Sequence, residues 1–327
     1  MARKTWKTAA VVVGLGWATL SGSPPPALSS ESLTFLLDWI PYAAHVGMYT
    51  ALDRGLYSQA GLTVNIVPGQ GSGDTIKRVG VGRPQVGFAD TGSLVVGRAK
   101  GIPAKVVGMV LDKSMFIVYT LKKGGIRAAK DLEGRKVGTP KASSTYIMFP
   151  ALAALNTVDM RKIDFVFMTS SALIPSLMAR KVDAILTYDS DSPAVFDAAR
   201  KANEEVAGYL YSRWGLDLYS NGLITSDEFI RNKPDVVRAF VHGTLKGTAW
   251  AVEHPKEAVD IFLKHNAALD RDLTRKTWVN VVDHLLTPTA QKMGLGHMDR
   301  KKMELTRDIV AKYMKLPVQV PVEDIYT

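Results

Sequence analysis

Cysteine is absent from all 327 residues, which excludes disulfides, thiolate nucleophiles, Cys-ligated zinc, iron–sulfur clusters and a lipid-bearing Cys after export. Beyond residue 30 no stretch reaches 18 uninterrupted apolar residues, whereas a membrane-spanning helix needs about 20. The common catalytic templates are missing too: there is no H-E-x-x-H, no G-x-x-x-x-G-K-[ST], no G-x-S-x-G and no G-x-G-x-x-G. Six histidines, at 45, 242, 254, 265, 284 and 297, show no metal-ligand spacing. No catalytic residue, metal or cofactor is therefore expected.

What is present is an ordinary folded composition, with 46% hydrophobic and 22% charged residues. The length fits about two domains at ~100–200 residues each. Net charge is +10, from 41 Lys and Arg against 31 Asp and Glu. The basic residues come as scattered pairs such as Lys122-Lys123, Arg161-Lys162 and Arg180-Lys181, with no stripe interleaved with aromatics. That pattern predicts a solvated basic surface and no nucleic-acid partner.

Arg3, Lys4 and Lys7 precede an apolar run from Thr8 to Leu20, and SGSPPPALSS follows. This is the layout of a cleavable signal peptide, residues 1–29, with Ala27 and Ser29 meeting the small-x-small rule. Removing it takes three positive charges and leaves 10 − 3 = +7. With no Cys to carry lipid, the expected destination is the periplasm.

The remaining chain alternates apolar runs with helical patterns. LTFLLDWIP (33–41) reads as a strand, and His45, Met48, Tyr49, Leu52 and Leu56 share one helical face. Strands are expected at 62–67, 86–89, 104–111 and 115–121, and helices from Asp74 and from the polar tip Asp90-Thr91. The rhythm restarts at DLEGRKVGTP (131–140), with a helix from Ser143 to Asn156, FVFM (165–168), a helix at 171–181 and DAILTY (183–188). GRPQVGFAD (82–90) and RKVDAILTYD (180–189) echo each other at an offset of 98 residues. Two α/β lobes facing a cleft are expected. From NGLIT (221–225) onward long helices begin at Pro234, Pro255, Arg271 and Asp299, a tail expected to cover the first lobe. The divisions read as 30–120 with 218–327 for lobe 1 and 121–217 for lobe 2, with two crossings forming a hinge.

Chemistry-bearing side chains gather at the predicted carboxyl ends of strands, where open α/β sheets bind ligands. These are Asp38 and Trp39, Asp90 and Thr91, then Tyr188 and Asp189, while Ser143 and Ser144 open a helix. Each has a plainer alternative. Ser143 can be an N-cap, Trp39 a core aromatic and His45 a packing residue, and Gly69, Gly71 and Gly73 can form either a flexible turn or an anion-binding nest.

LDWIPYAAHVGMYTALDRGLYSQAGLTVNIV (37–67), GSGDTIKRVGVGRPQVGFAD (71–90), GIPAKVVG (101–108) and DLEGRKVGTP (131–140) resemble the extracytoplasmic solute-binding proteins of ABC importers. The nearest branch is the one for thiamine-pyrimidine precursors, related to the nitrate, sulfonate, taurine and riboflavin binders. The pattern D-W-x-P-x-x-x-H-x-G carries most of the specificity. The resemblance implies a type II periplasmic-binding-protein fold and a small planar nitrogen heterocycle held between two lobes, in a monomer that delivers it to a permease and its ATPase. Its site residues fall on Asp38, Trp39, His45, Gly71, Ser72 and Asp90 in the first lobe, and on Ser143, Ser144, Tyr146 and Tyr188 in the second. Tyr42 stands where the branch usually has Asn, and its second-lobe acidic residue is Asp189 or Asp191. Sulfonate-type ligands are the runner-up. Fungal relatives that synthesise the pyrimidine need a histidine and a Cys-rich motif, but the matching segment here is ADTGSLV, with Ser93 near that position. An enzyme using His45 as acid or base, or a sensor reading the ligand for a membrane kinase, are the competing readings.

Overall fold

Runs such as FIVYTL and VGFAD are apolar on both faces, so they are stable only with a neighbour on each side and helices above and below. The computed structural model describes residues 31–327 and satisfies that demand with two five-stranded sheets. The signal peptide expected at 1–29 lies outside the described residues. In chain order the strands are β1 (Glu31–Leu36), β2 (Leu62–Val67), β3 (Val86–Asp90), β4 (Ala104–Met109), β5 (Phe116–Leu121), β6 (Lys136–Thr139), β7 (Asp164–Phe167), β8 (Ala184–Tyr188), β9 (Val206–Leu210) and β10 (Asn221–Ser226).

The sheets share one plan. The first runs β2-β1-β3-β10-β4 and the second β7-β6-β8-β5-β9, each with three parallel strands followed by an antiparallel fourth. That fourth strand is in both cases the one that has just crossed from the other lobe. β5 follows the crossing at 110–115, and β10 follows the crossing at 211–220. β3 and β8, the echo at an offset of 98 residues, hold the middle place of their sheets.

One boundary differs from the sequence reading. The sequence places residues 115–120 of this strand in lobe 1 (30–120), but Phe116 to Leu121 pair with β8 and β9 in the second sheet. The first crossing therefore lies ahead of β5 and not at the expected 120/121 boundary. Hydrophobicity identifies a buried strand but not the sheet it joins, because both sheets offer the same apolar neighbours.

Helices α1 (Val46–Asp53), α2 (Ser72–Gly80) and α3 (Thr91–Ala99) cover the first sheet, and α4 (Ser144–Leu155), α5 (Ser170–Met178) and α6 (Ser192–Lys201) the second. The tail contains α7 (Asp227–Asn232), α8 (Pro234–Glu253), α9 (Pro255–His265), α10 (Arg271–Leu285), α11 (Pro288–Met293) and α12 (Arg300–Met314). α8 and α9 pack on α1. Close approach there depends on small residues, since a Cβ on Gly247 would lie 2.5 Å from the Gly47 carbonyl. The tail does more than cover lobe 1. α12 packs on both α3 and α4, and α10 touches the turn at Ala43–His45 as well as α6. One apolar core accordingly runs from Leu94 and Val95 through Phe149 and Leu152 to Met303 and Val310.

Candidate ligand-binding site

Asp38 stands just past the end of β1, where Pro41 stops the extended chain and Ala43–His45 forms a turn. That turn brings His45 back onto Asp38, with Nε2 at 2.8 Å from Oδ1, both side chains being buried. The Tyr42 backbone N–H donates to His45 Nδ1 at 3.3 Å. Nδ1 is thus the acceptor, so a neutral His45 carries its proton on Nε2 and donates it to Asp38. The other Asp38 oxygen accepts from Asn221 Nδ2 at 2.8 Å and, at 3.4 Å, from the Tyr42 hydroxyl.

Asp90 ends β3 and caps α3. Its Oδ1 accepts from both the Ser93 N–H (2.6 Å) and the Ser93 hydroxyl (2.7 Å), while Oδ2 is buried with no partner. Burial, opposed by the Ser93 bonds and reinforced by the Asp38 charge, pushes its carboxyl up to about 7. Ser72 and Thr91 serve the frame: Ser72 Oγ accepts from the Asp90 N–H at 3.1 Å, and Thr91 Oγ1 donates to the Ser220 carbonyl at 2.7 Å.

The second lobe presents Tyr188 from the end of β8. Its hydroxyl pairs with Ser144 Oγ at 2.6 Å, and its ring lies 6.4 Å from that of Tyr42 and 5.9 Å from that of Phe116. Burial raises the Tyr188 hydroxyl well above its ordinary range, and the charges of Asp38, Asp90 and Asp191 add to this. The Tyr42 hydroxyl is raised in the same way, by burial first and then by Asp38, Tyr188 and Asp191. Carboxylates of both lobes therefore converge on one pair of phenols. Asp191, itself raised by burial, accepts from Thr187 Oγ1.

The remaining expected residues divide clearly. Ser143 is the N-cap of α4 and bonds Thr145 Oγ1 at 2.7 Å. The Tyr146 ring packs edge-on against Phe165 and Phe167. Trp39 is half-buried, its carbonyl accepting from the Gly69 N–H at 3.1 Å. Gly71, at φ +126°, gives its N–H to the Asp38 carbonyl at 2.7 Å, and a Cβ there would lie 2.2 Å from the Ala142 carbonyl of the other lobe. With the Gly69 and Gly71 N–H groups already engaged, the loop is a close-packed turn and not an anion nest. Asp189 faces away from the Asp38 cluster. Its Oδ2 is 3.3 Å from His284 Nε2 of α10, and Oδ1 accepts from Ser192 Oγ. Burial works to raise this carboxyl, but the His284 and Ser192 bonds outweigh it and hold it below the usual range. Between the two acidic alternatives, Asp191 is the one whose charge reaches Tyr42 and Tyr188.

Asn221 escaped sequence reasoning. It lies opposite Asp90 only because β10 inserts between β3 and β4, a long-range pairing without a local signal. Phe88, edge-on to His45 at 5.6 Å, and Phe116 look like core aromatics in sequence.

Among curated relatives, a formylaminopyrimidine-binding protein of Halalkalibacterium halodurans is 23% identical over 71% of this chain and 70% of its own. The riboflavin-binding protein RibY of Chloroflexus aurantiacus is 24% identical over 94% of this chain and 88% of its own. A Saccharomyces cerevisiae relative named 4-amino-5-hydroxymethyl-2-methylpyrimidine phosphate synthase is 23% identical over 77% of this chain and 76% of its own. Among solved structures, the alkanesulfonate-binding protein SsuA of Xanthomonas axonopodis pv. citri, bound to MOPS, superposes with a TM-score of 0.70 at 16% identity, over 93% of this chain and 99% of that one. The two lobes thus have the periplasmic-binding-protein fold. The family model described as NMT1/THI5 like matches residues 42–258, more than half the chain, and the protein belongs to that family.

Proposed function

We propose that this chain is the extracytoplasmic receptor of an ABC importer and that it closes on a small planar nitrogen heterocycle of the aminopyrimidine kind. The single observation that carries the reading is Asp90 Oδ2, a buried carboxyl oxygen with no protein donor. Such an atom is costly unless a ligand N–H completes it. An aminopyrimidine supplies N–H donors to such an oxygen, whereas a sulfonate brings only acceptor oxygens and a charge of the same sign as the Asp38 carboxylate. The Tyr42 and Tyr188 rings lie 6.4 Å apart, and the Asp90 carboxyl is close enough for its charge to act on the Tyr188 hydroxyl. A flat ring between them needs about 3.5 Å on each side, so in this reading the two tyrosines, tilted by 33°, part when the lobes open and face each other across the ligand when they close. Binding-protein relatives named for formylaminopyrimidine and riboflavin, both planar nitrogen heterocycles, support the class.

In this reading the protein is exported by its signal peptide to the periplasm, acts as a monomer and hands its ligand to a permease with an ATPase, making and breaking no bond. The named yeast synthase favours the alternative of an enzyme. Against it stand the absence of Cys and the occurrence of Ser93 near the position of the fungal histidine. Native mass spectrometry of protein purified without denaturation tests the reading. A retained, chemically unaltered aminopyrimidine or similar heterocycle supports it. A retained sulfonate, or a pyrimidine formed on the chain during incubation, overturns it.

A further inference from the structure

The two crossings between the lobes are tied together at one residue. The Asn221 carbonyl accepts from the N–H groups of Val110 (3.3 Å) and Leu111 (2.9 Å), where the first crossing begins. One residue earlier, the Ser220 carbonyl accepts from the Thr91 N–H (3.0 Å) and the Thr91 hydroxyl. Ser220-Asn221 therefore pins the end of the second crossing to the start of the first and to the head of α3. These are the element-terminal positions at which a two-lobed protein absorbs opening and closing.

The Asn221 side chain serves the Asp38 cluster. It is fully buried, its Oδ1 accepts from Ser220 Oγ at 3.2 Å, and its Nδ2 donates to Asp38 Oδ2 at 2.8 Å. Asp38 in turn holds His45 and, through a long 3.4 Å bond, the Tyr42 hydroxyl. A buried carboxylate tolerates few changes in its donors, because a lost partner leaves charge uncompensated. Movement of the backbone at 220–221 must therefore be transmitted to Asp38 or break its bond.

We infer that Asn221 is a positioning residue that couples the interlobe hinge to the ligand pocket, by setting the place of Asp38 and through it the Tyr42 hydroxyl. The inference rests on the proposed reading of the cleft as a ligand site. It predicts that the closed arrangement and the ordered Asp38 cluster form together, so that loosening one loosens the other.

Two measurements test it, and one needs no ligand. Because the chain has no Cys, spin labels at Val81→Cys on lobe 1 and Lys181→Cys on lobe 2, both exposed, report the interlobe distance without background. In the ligand-free protein Asn221→Ala should shift or broaden the distance distribution relative to the labelled parent. With 4-amino-5-hydroxymethyl-2-methylpyrimidine as probe, Asn221→Ala should lower affinity about tenfold or more, as expected for a lost bond to a charged group. The same substitution in an Asp38→Asn background should change affinity by less than about twofold, since the coupling partner is gone. Asn221→Ser, which keeps a hydroxyl donor set back by one bond from the amide nitrogen, serves if the alanine variant does not fold, and should lie between parent and alanine on both readouts. An unchanged distance distribution, or affinity losses that add fully across the Asp38 and Asn221 substitutions, overturns the inference. If the probe binds no version, the reading of the ligand fails, but the ligand-free distances still decide the coupling.

Discussion

Replacing Asp90 by Asn should stabilise the ligand-free protein at neutral and alkaline pH. Its carboxyl is raised from an ordinary 3.8 to about 7, chiefly because burial penalises its charge. At about 1.36 kcal/mol per pH unit, ionising it inside the fold costs on the order of 4 kcal/mol, an upper bound that local relaxation reduces. The sign follows from proton binding. Between about pH 4 and about pH 7 the native state holds this proton more tightly than the unfolded chain does, so stability falls as pH rises across that window and levels off above it. Asparagine keeps an acceptor for the Ser93 N–H and hydroxyl and carries no charge. The Asn variant should therefore equal or exceed the parent in urea-unfolding free energy at about pH 8, and its advantage should vanish towards about pH 4. Other groups titrate in the same range, which is why the difference between the two proteins is the quantity to follow. The reasoning is refuted if the variant loses the same free energy at both pH values, because the carboxyl would then be a neutral or well-paired group throughout. Binding should move oppositely: the variant gives the ligand an amide where the parent offers a free carboxyl oxygen, so affinity for an aminopyrimidine should drop.

Two glycines give further tests. Gly247→Ala places a Cβ 2.5 Å from the Gly47 carbonyl and 2.6 Å from the Ala51 nitrogen, so α1 and α8 must part, at a cost of about 1–3 kcal/mol in thermal unfolding with ligand affinity of the folded fraction unchanged. Gly71→Ala meets both a backbone φ of +126° and the Ala142 carbonyl at 2.2 Å. It should impair closure more than folding, leaving the solution-scattering radius of the ligand-treated protein at its open value, whereas a normal contraction would contradict the close approach drawn here.

Much of this architecture was legible in the sequence because it is written locally. Buried strands announce themselves as apolar runs, and the helix starts at Ser143 and Asp299 were visible as caps whose side chains do accept from N–H groups of the following turn. What failed was long-range. The placement of β5 in the second sheet, the insertion of Asn221 beside Asp38, and the turning of Asp189 towards His284 all depend on which distant element lies alongside. The His284 contact arises because α10 spans both lobes, so a histidine that looks like a tail residue in sequence is buried against an interlobe partner. The sequence reading was silent over α6, although its buried Ser192, Val195 and Ala199 fall on one helical face, and over β9, a short half-buried strand without clear alternation. The candidate site was read as a set of strand ends; the structure divides that set into the Asp38, Tyr42, His45, Asp90, Ser144 and Tyr188 group and residues that hold the frame.

The most direct test of the account is calorimetric titration of the purified protein with 4-amino-5-hydroxymethyl-2-methylpyrimidine and, in a matched experiment, with an alkanesulfonate. Saturable heat with the pyrimidine at one site per chain, and none with the sulfonate, is the predicted result. Saturable sulfonate binding with no response to the pyrimidine would mean that the acidic interior does not select the guest.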